Sequence, residues 1–203
     1  MPRSASGTFV IGIGGNIGAG KTTLAKIFQE LSAKVIDADK IGWSLLKKSS
    51  KTYHKIIRSF GKSILDKNQN INRKKLGKIV FAHTKKLKSL NQIIHPLLLT
   101  KLRQKIRKQK GVVILDAALL FNWELEKEMD ASVLVSSTQR LKTERATKAG
   151  MTKAEAGARI SKQLPDRLMA QRADFIIKNN GTKKDLRNKA EELWQLFNKC
   201  RRL

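Results

Sequence analysis

Short apolar runs alternate along the chain with longer stretches of helical periodicity. The runs are continuously apolar, which is typical of strands that are buried on both faces of a parallel sheet. Five strands are predicted, at 9–11, 35–36, 112–115, 132–136 and 175–177. Helical patterns follow at 23–31, 40–47, 138–148, 152–164 and from Thr182 onward. This order predicts an α/β fold in which helices cover both faces of a five-stranded parallel sheet.

A long helical region separates the second and third predicted strands. The pattern from 52 to 110 is almost entirely helical and is interrupted by an asparagine-rich turn at 66–72. Residues 87–106 carry their apolar side chains on one helical face. Pro96 lies inside this stretch, so we expect the helix to kink or break near His95.

The charge balance is strongly basic. Lysine and arginine number 43 against 16 acidic residues, which gives a formal net charge of +27. The basic residues are spread along the whole chain, and aromatic residues make up 5%, too few for a base-stacking surface. A lysine-rich solvated surface, enriched near an anionic substrate, explains the charge better than nucleic-acid binding does. We expect no specific nucleic-acid partner.

Composition also limits the class of protein. With 203 residues, 40% of them hydrophobic, the chain can bury the core of one α/β domain. No apolar run approaches the roughly 20 residues that span a bilayer, and residues 1–7 carry no signal-peptide pattern. Cys200 is the only cysteine, which excludes an intrachain disulfide. We expect a cytoplasmic protein, monomeric or weakly oligomeric, with no membrane partner.

The candidate chemistry begins directly after the first strand. Residues 15–22 read Gly-Asn-Ile-Gly-Ala-Gly-Lys-Thr and fit the phosphate-binding pattern G-x-x-x-x-G-K-[ST] at every fixed position. A strand precedes this loop and a helix follows it, which is the context that the pattern requires. Lys21 is predicted to reach the β- and γ-phosphates, and Thr22 is predicted to bind Mg²⁺.

The glycine-rich loop has two alternative interpretations. One is a turn that binds nothing. The other is a dinucleotide-binding G-x-G-x-x-G that starts at Gly12, but this would need glycine at the position of Ile17. The Gly-Lys-Thr end also has no role in a dinucleotide fold, so a phosphate-binding loop is favoured.

Four predicted strands end in polar residues: the loop at 15–22, Asp37 with Asp39, Asp116, and Asn179-Asn180-Gly181. Ligands of parallel sheets bind at the carboxyl ends of the strands, so the four should meet at one edge. Asp116 has the form of the acid that supports Mg²⁺ in P-loop enzymes, and a cap of the next turn is the alternative. Asp39 is a candidate general base, or else the N-cap of a helix that begins near Lys40.

Candidate cations lie between the fourth and fifth strands, in a helical segment at 139–172 that we predict to be a lid. A lid excludes water, and its cations neutralise charge on a transferred phosphoryl group. The candidates, most of which are equally explained as solvated surface residues, are Arg140, Arg145, Lys148, Arg159, Arg167 and Arg172. The remaining chain divides into a core at about 8–50, 111–138 and 173–203 and a helical insertion at about 51–110.

Six segments together resemble the dephospho-CoA kinase family of P-loop nucleotide-kinase-like enzymes over nearly the whole chain. Residues 13–23 resemble its glycine-rich opening, 35–39 its Val-Ile-Asp-Ala-Asp, and His95-Pro96 its His-Pro. Residues 119–121 after Asp116 resemble its Asp-x-Pro-Leu-Leu-Phe-Glu. Residues 159–163 and 173–181 resemble Arg-Ile-x-x-Gln and Ala-Asp-x-Val-Ile-x-Asn-x-Gly. The Asp-Ala-Asp and Asn-Asn-Gly segments, in this order and spacing, distinguish the family from other nucleotide kinases.

The chain departs from the family pattern in two places. Ala118 stands where the family often has proline, and Asn122 stands where it often has glutamate, so a role of that glutamate in acceptor binding does not carry over. The first half of the lid aligns only with a gap of one residue. Arg145 is our choice for the lid arginine, with Arg140 as the alternative. Lys148 stands near a second arginine position, where lysine keeps the charge but loses bidentate phosphate recognition.

The resemblance implies that the γ-phosphoryl group of ATP is transferred to the ribose 3′-hydroxyl of dephospho-CoA, giving CoA and ADP, with Mg²⁺ required. It also implies a three-layer P-loop kinase core with a CoA-binding helical insertion. The implied catalytic residues are Lys21, Asp39 and Arg145, and the implied metal ligands are Thr22 and Asp116. The implied ATP-binding residues are Gly15, Asn16, Ile17, Gly18, Ala19, Gly20, Lys21, Thr22, Thr23 and Asn180. The implied acceptor-binding residues are Asp37, Arg73, His95 and Leu119.

Two competing functions follow from the same sequence. One is a kinase for a different nucleotide or nucleoside. The other, motivated by the net charge, is a nucleic-acid-associated NTPase, although the chain has no second motif that pairs with nucleic-acid chemistry.

Overall fold

The computed structural model describes residues 7–201, without the side chains of Cys200 and Arg201. Residues 1–6, part of the segment for which no signal peptide is expected, lie outside the described residues. The strands are β1 (Thr8–Gly14), β2 (Lys34–Asp37), β3 (Gly111–Asp116), β4 (Ala131–Ser136) and β5 (Phe175–Lys178). The described helices are α1 (Lys21–Glu30), α2 (Ala38–Ser44), α3 (Lys51–Phe60), α4 (Arg73–Ala82), α5 (Thr84–Arg107), α6 (Gln139–Lys148), α7 (Lys153–Ile160), α8 (Asp166–Ala170) and α9 (Lys183–Arg201).

The five strands form one parallel sheet in the order β2-β3-β1-β4-β5. Asp116, the last residue of β3, lies in register with Ile13 of β1 on one side and with Asp37 of β2 on the other. The predicted five-stranded parallel sheet is confirmed. Because all the strands run in the same direction, the polar residues that follow them share one edge of the sheet.

Both faces of the sheet are buried, as the unbroken apolar runs predict. On one face, Ile11, Ile114 and Val133 belong to a core with residues of α1 and α9 that include Phe28 and Phe197. The opposite face is buried through Val10, Val113, Leu115 and Leu134. A side chain at Gly14 would overlap the ring of Phe121, whose carbon lies 2.4 Å from the position of a Cβ. The fold is therefore a three-layer α/β sandwich.

Two helix predictions differ from the structure. The helix predicted at 152–164 begins after a capping box of Thr152 and Glu155, as expected, but ends at Ile160. Pro165 lies just beyond it and disfavours helical geometry in the residue before it. The helix containing Pro96 does not break, because α5 continues through it for 24 residues. Because proline has no backbone N–H to donate, its place inside a helix costs about 3 kcal/mol. The burial of Leu98 and Leu102 in the following turns helps to offset this cost.

The chain separates into two compact units. One contains the sheet and comprises the chain up to Asp37 and again from Lys105 onward. The other, Ala38–Gln104, is helical and has its own core around Tyr53, Ile56 and Leu76. The helical unit therefore begins with α2, whereas the sequence predicts an insertion at about 51–110. In the part of the chain that the structure describes, no helix combines the length and apolar character of a membrane span.

Candidate active site

The loop between β1 and α1 has a backbone that only glycine adopts without strain at two central positions. Gly18 has φ 74° and Gly20 has φ 107°, both in the left-handed region. A Cβ at Gly18 would lie 2.1 Å from the carbonyl oxygen of Lys142, and one at Gly20 would lie 2.3 Å from Nδ2 of Asn179. The loop is thus packed tightly against α6 and against the residue that follows β5.

Helix α1 begins directly after this loop and leaves its N-terminus available to an anion. Its N-cap is Gly20, which makes no side-chain capping bond, and its first turn holds no acidic residue. The N–H groups of a first helical turn have no partner within the helix, and the helix dipole adds partial positive charge there. The Nζ of Lys21 lies 3.3 Å from the carbonyl oxygen of Asn16, folded back towards the loop. This combination is that of a phosphate-binding site.

A hydroxyl and a carboxylate meet beside the loop. Thr22, in the first turn of α1, donates from Oγ1 to Oδ2 of Asp116 at 3.1 Å. Asp116 is 8% exposed and Thr22 is exposed. Among the described residues there is no cluster of three or more His, Cys, Asp or Glu side chains that would hold a metal ion by themselves. Mg²⁺ prefers a few oxygen ligands completed by water and phosphate, and the Thr22–Asp116 pair fits that preference.

The two acids after β2 belong to different elements. Asp37 ends β2 beside Asp116 and is half-buried. Asp39 is exposed and lies in the first turn of α2, which begins at Ala38. The alternative in which Asp39 caps a helix beginning near Lys40 is therefore wrong, because the helix begins one residue before Asp39. The carboxylate of Asp39 remains a candidate base.

Arg145 of α6 and Asn179 hold the carbonyl groups of the phosphate loop. Nη1 of Arg145 donates to the carbonyl oxygens of Gly18 and Ala19, each at 3.4 Å, and Nη2 donates to the carbonyl oxygen of Asn179 at 3.0 Å. Nδ2 of Asn179 donates to the carbonyl oxygen of Ala19 at 2.8 Å. The arginine chosen from the sequence as the lid cation thus contacts the loop backbone directly.

Comparison with known proteins gives consistent results. A family model described as dephospho-CoA kinase matches residues 9–185. The dephospho-CoA kinase of Lactobacillus acidophilus is 39% identical over 195 residues, which are 92% of this chain and 96% of that protein. The enzyme of Aquifex aeolicus is 37% identical over 188 residues, 91% and 95% of the two chains. The chain belongs to the dephospho-CoA kinase family.

Solved structures agree with this assignment. The dephospho-CoA kinase of Campylobacter jejuni superposes with a TM-score of 0.67 at 26% identity, covering 93% of this chain and 96% of that one. The family and the enzyme class predicted from the motifs, a kinase with ATP as co-substrate, are both confirmed.

The other candidate lid cations differ in exposure, and two of them pair with acidic residues of the sheet unit. Arg140 is exposed and pairs with Glu144 one turn along α6 at 3.2 Å. Lys148 and Arg167 are exposed, Arg159 is half-buried, and Arg172 pairs with the buried Glu126. Among these candidates, Arg145 is observed to hydrogen-bond to the backbone of the phosphate loop.

The remaining dephospho-CoA kinase positions fall in both units. In the helical unit, Arg73 is exposed, and its guanidinium carbon lies 4.6 Å from the ring centre of Trp43. His95 is half-buried within α5. In the sheet unit, Leu119 is half-buried shortly after β3, and Asn180 accepts at Oδ1 from the N–H of Thr138 and from Oγ of Ser137, each at 3.1 Å.

Sequence reasoning selected Asn180 and passed over Asn179, Lys142 and Asp166. The Asn-Asn-Gly segment identified the correct turn. Only the structure shows that the side-chain amide of Asn179 contacts the loop. The ammonium of Lys142 lies 2.9 Å from Oδ1 of Asp166, which also accepts from Nδ2 of Asn16 at 2.7 Å. No pattern in the sequence separates Lys142 from the other basic residues of the lid.

Proposed function

We propose that this chain transfers the γ-phosphoryl group of MgATP to the ribose 3′-hydroxyl of dephospho-CoA and releases CoA and ADP. The observation that carries the proposal is the uncapped N-terminus of α1 beside the Thr22–Asp116 pair, in a member of the dephospho-CoA kinase family. A phosphate chain needs N–H groups, a helix terminus, a cation and a metal-binding carboxylate, and these four features lie together in the sheet unit.

The donor half of the proposed site is the segment 15–23. Its backbone N–H groups and the N-terminus of α1 bind the phosphate oxygens, and Lys21 leaves the carbonyl of Asn16 for the β- and γ-phosphates. Thr22 and Asp116 would hold Mg²⁺, which would supply positive charge that offsets the charge of the phosphates. Arg145 keeps the loop carbonyls turned away from the nucleotide while it adds positive charge. Asn180 fixes the start of α6 beside the nucleotide.

The acceptor half is assigned from the family resemblance and from the chemistry of the side chains. Asp39 accepts the proton of the 3′-hydroxyl as that oxygen forms its bond to the γ-phosphorus and the bond to the β-phosphate oxygen of the departing ADP breaks. Asp37 orients the neighbouring groups. Arg73, whose guanidinium group lies over the ring of Trp43, supplies a positive charge for the phosphates of the acceptor. His95 and Leu119 are further acceptor contacts. We place the enzyme in the cytoplasm as a monomer or weak oligomer.

An acceptor panel tests this function. Purified protein with MgATP is offered dephospho-CoA, the four common nucleoside monophosphates, adenosine and shikimate, and ADP release is followed by a coupled assay. We expect kcat/KM for dephospho-CoA to exceed that for every other acceptor by at least about 100-fold, because a hydrogen-bonding site rejects acceptors that leave its polar groups unpaired. Preference for a nucleoside monophosphate would contradict the proposal, as would ATP hydrolysis that needs RNA or DNA for stimulation.

A further inference from the structure

The lid contains a lysine that is buried in the folded protein. The side chain of Lys142, in the middle of α6, is 6% exposed, whereas lysine side chains are seldom buried without a partner. Its ammonium bonds Oδ1 of Asp166, the first residue of α8, at 2.9 Å. Removing a charge from water costs free energy that a single ion pair offsets only with good additional contacts. The pair therefore calls for an explanation beyond the packing of α6.

Asp166 is joined to the phosphate loop by the same oxygen. Its Oδ1 accepts from Nδ2 of Asn16 at 2.7 Å, and Asn16 is 3% exposed. The backbone carbonyl of Asn16 in turn accepts from Nζ of Lys21 at 3.3 Å. A continuous series of contacts thus runs from Lys142 through Asp166 and Asn16 to the lysine of the phosphate loop.

The anchoring of Asn16 depends on this one carboxylate. Its other side-chain atom, Oδ1, is buried and has no hydrogen-bond partner in the part of the chain that the structure describes. Without Asp166, neither polar atom of the buried Asn16 side chain would keep a partner observed here. An unpaired buried amide is costly, so the loop would relax towards conformations that expose it.

Other contacts of the lid reach the neighbouring loop residues. Oε1 of Gln163 accepts from the N–H of Ile17 at 2.9 Å, and the backbone of Lys142 lies against Gly18. The same stretch of lid thus contacts three consecutive loop residues. Of these contacts, only the one to Asn16 involves an ion pair and continues to Lys21.

We propose that Asp166, held in place by Lys142, is a positioning residue that sets the conformation of the phosphate loop and, through Asn16, the location from which the Lys21 ammonium moves to the phosphates when MgATP binds. This inference rests on the proposed function of the loop as the ATP site. It predicts that losing the anchor weakens MgATP binding and leaves the affinity for dephospho-CoA unchanged.

The decisive comparison is between two variants in which the buried charge has already been removed. K142M/D166N keeps an amide oxygen that accepts from Asn16, and K142M/D166A does not. We expect KM for MgATP to rise about 5- to 20-fold in K142M/D166A, because only a fraction of the loops would be competent to bind. We expect K142M/D166N to stay within about threefold of wild type, with KM for dephospho-CoA within about twofold in both variants.

Three further measurements keep the inference separable from the proposed function. We expect the affinity for ADP, measured by calorimetry, to be lower in K142M/D166A than in K142M/D166N. This binding measurement involves no acceptor, so its result does not depend on which acceptor the enzyme uses. N16A, which leaves the Lys142–Asp166 pair intact, reproduces the loss if the double variants fail to fold. K153M, in an exposed position at the start of α7, serves as the control. The inference would be overturned if K142M/D166A, K142M/D166N and N16A all bound MgATP and ADP with the same affinity as wild type, even if their melting temperatures fell.

Discussion

Replacement of Asn179 by alanine tests how the phosphate loop is held. Asn179 is 7% exposed, and its Nδ2 donates to the carbonyl oxygen of Ala19 at 2.8 Å. Among the described residues, the contact that this carbonyl keeps in Asn179→Ala is the longer one from Nη1 of Arg145, at 3.4 Å. Leaving a buried acceptor poorly satisfied costs about 1–3 kcal/mol, so we expect a loss of about 2 kcal/mol in the free energy of unfolding. With a urea m-value of about 2–3 kcal/mol/M, the midpoint falls by about 0.7–1 M.

The assay is urea unfolding followed by far-ultraviolet circular dichroism, with ADP binding measured by calorimetry on the same samples. Asn188→Ala, at an exposed position of α9, is the matched control and should change the free energy of unfolding by less than about 0.5 kcal/mol. We expect Asn179→Ala to weaken ADP binding as well, because Ala19 belongs to the phosphate loop. A midpoint within about 0.2 M of wild type would refute the proposed contribution of this bond.

Three other substitutions test separate parts of the account. Asp39→Asn should lower kcat by at least about 100-fold in steady-state kinetics, and full activity would remove the base assignment. Asp116→Asn should raise the Mg²⁺ concentration for half-maximal activity about tenfold or more, and an unchanged Mg²⁺ titration would exclude it as a ligand. Hydrogen bonds from the backbone and hydroxyl of Thr182 lower the pKa of Asp185, so its contribution to stability is present above about pH 4 and is lost as the pH falls through the folded-state pKa. Asp185→Asn should therefore lower Tm more at pH 7 than at pH 2.5, and equal losses at both pH values would contradict this.

The features that the sequence predicts correctly are those determined by residues that are close together in the chain. The apolar runs predict the parallel sheet because strands buried on both faces need no alternation. The segment 15–22 predicts its loop because strand, glycines and helix are consecutive in the chain. Parallel strands then place the polar residues that follow them, including Asp37 and Asp116, at one edge of the sheet. The strand order is not predicted in this way, because β3 lies between β2 and β1, and only the structure shows that Asp116 is the neighbour of Asp37.

Side-chain contacts between distant residues are not predictable in this way. Asn16 and Asp166 are 150 residues apart, and Asn179 and Ala19 are 160 apart, yet each pair is hydrogen-bonded. Aspartate, lysine and asparagine recur along the chain, so residue type does not reveal which of them are partners. Pro96 shows the converse case, since a strong local helix breaker is tolerated where the neighbouring turns bury leucines.

The position of the phosphate on the product tests the central claim most directly. Dephospho-CoA is incubated with MgATP and the enzyme, and the product is characterised by ³¹P NMR and by its sensitivity to a 3′-nucleotidase, with Lys21→Ala as the inactive control. We predict one new phosphomonoester on the ribose 3′-oxygen, equimolar with ADP, which the nucleotidase removes. A phosphate at any other position, or ADP formed without a phosphorylated acceptor, would contradict the account.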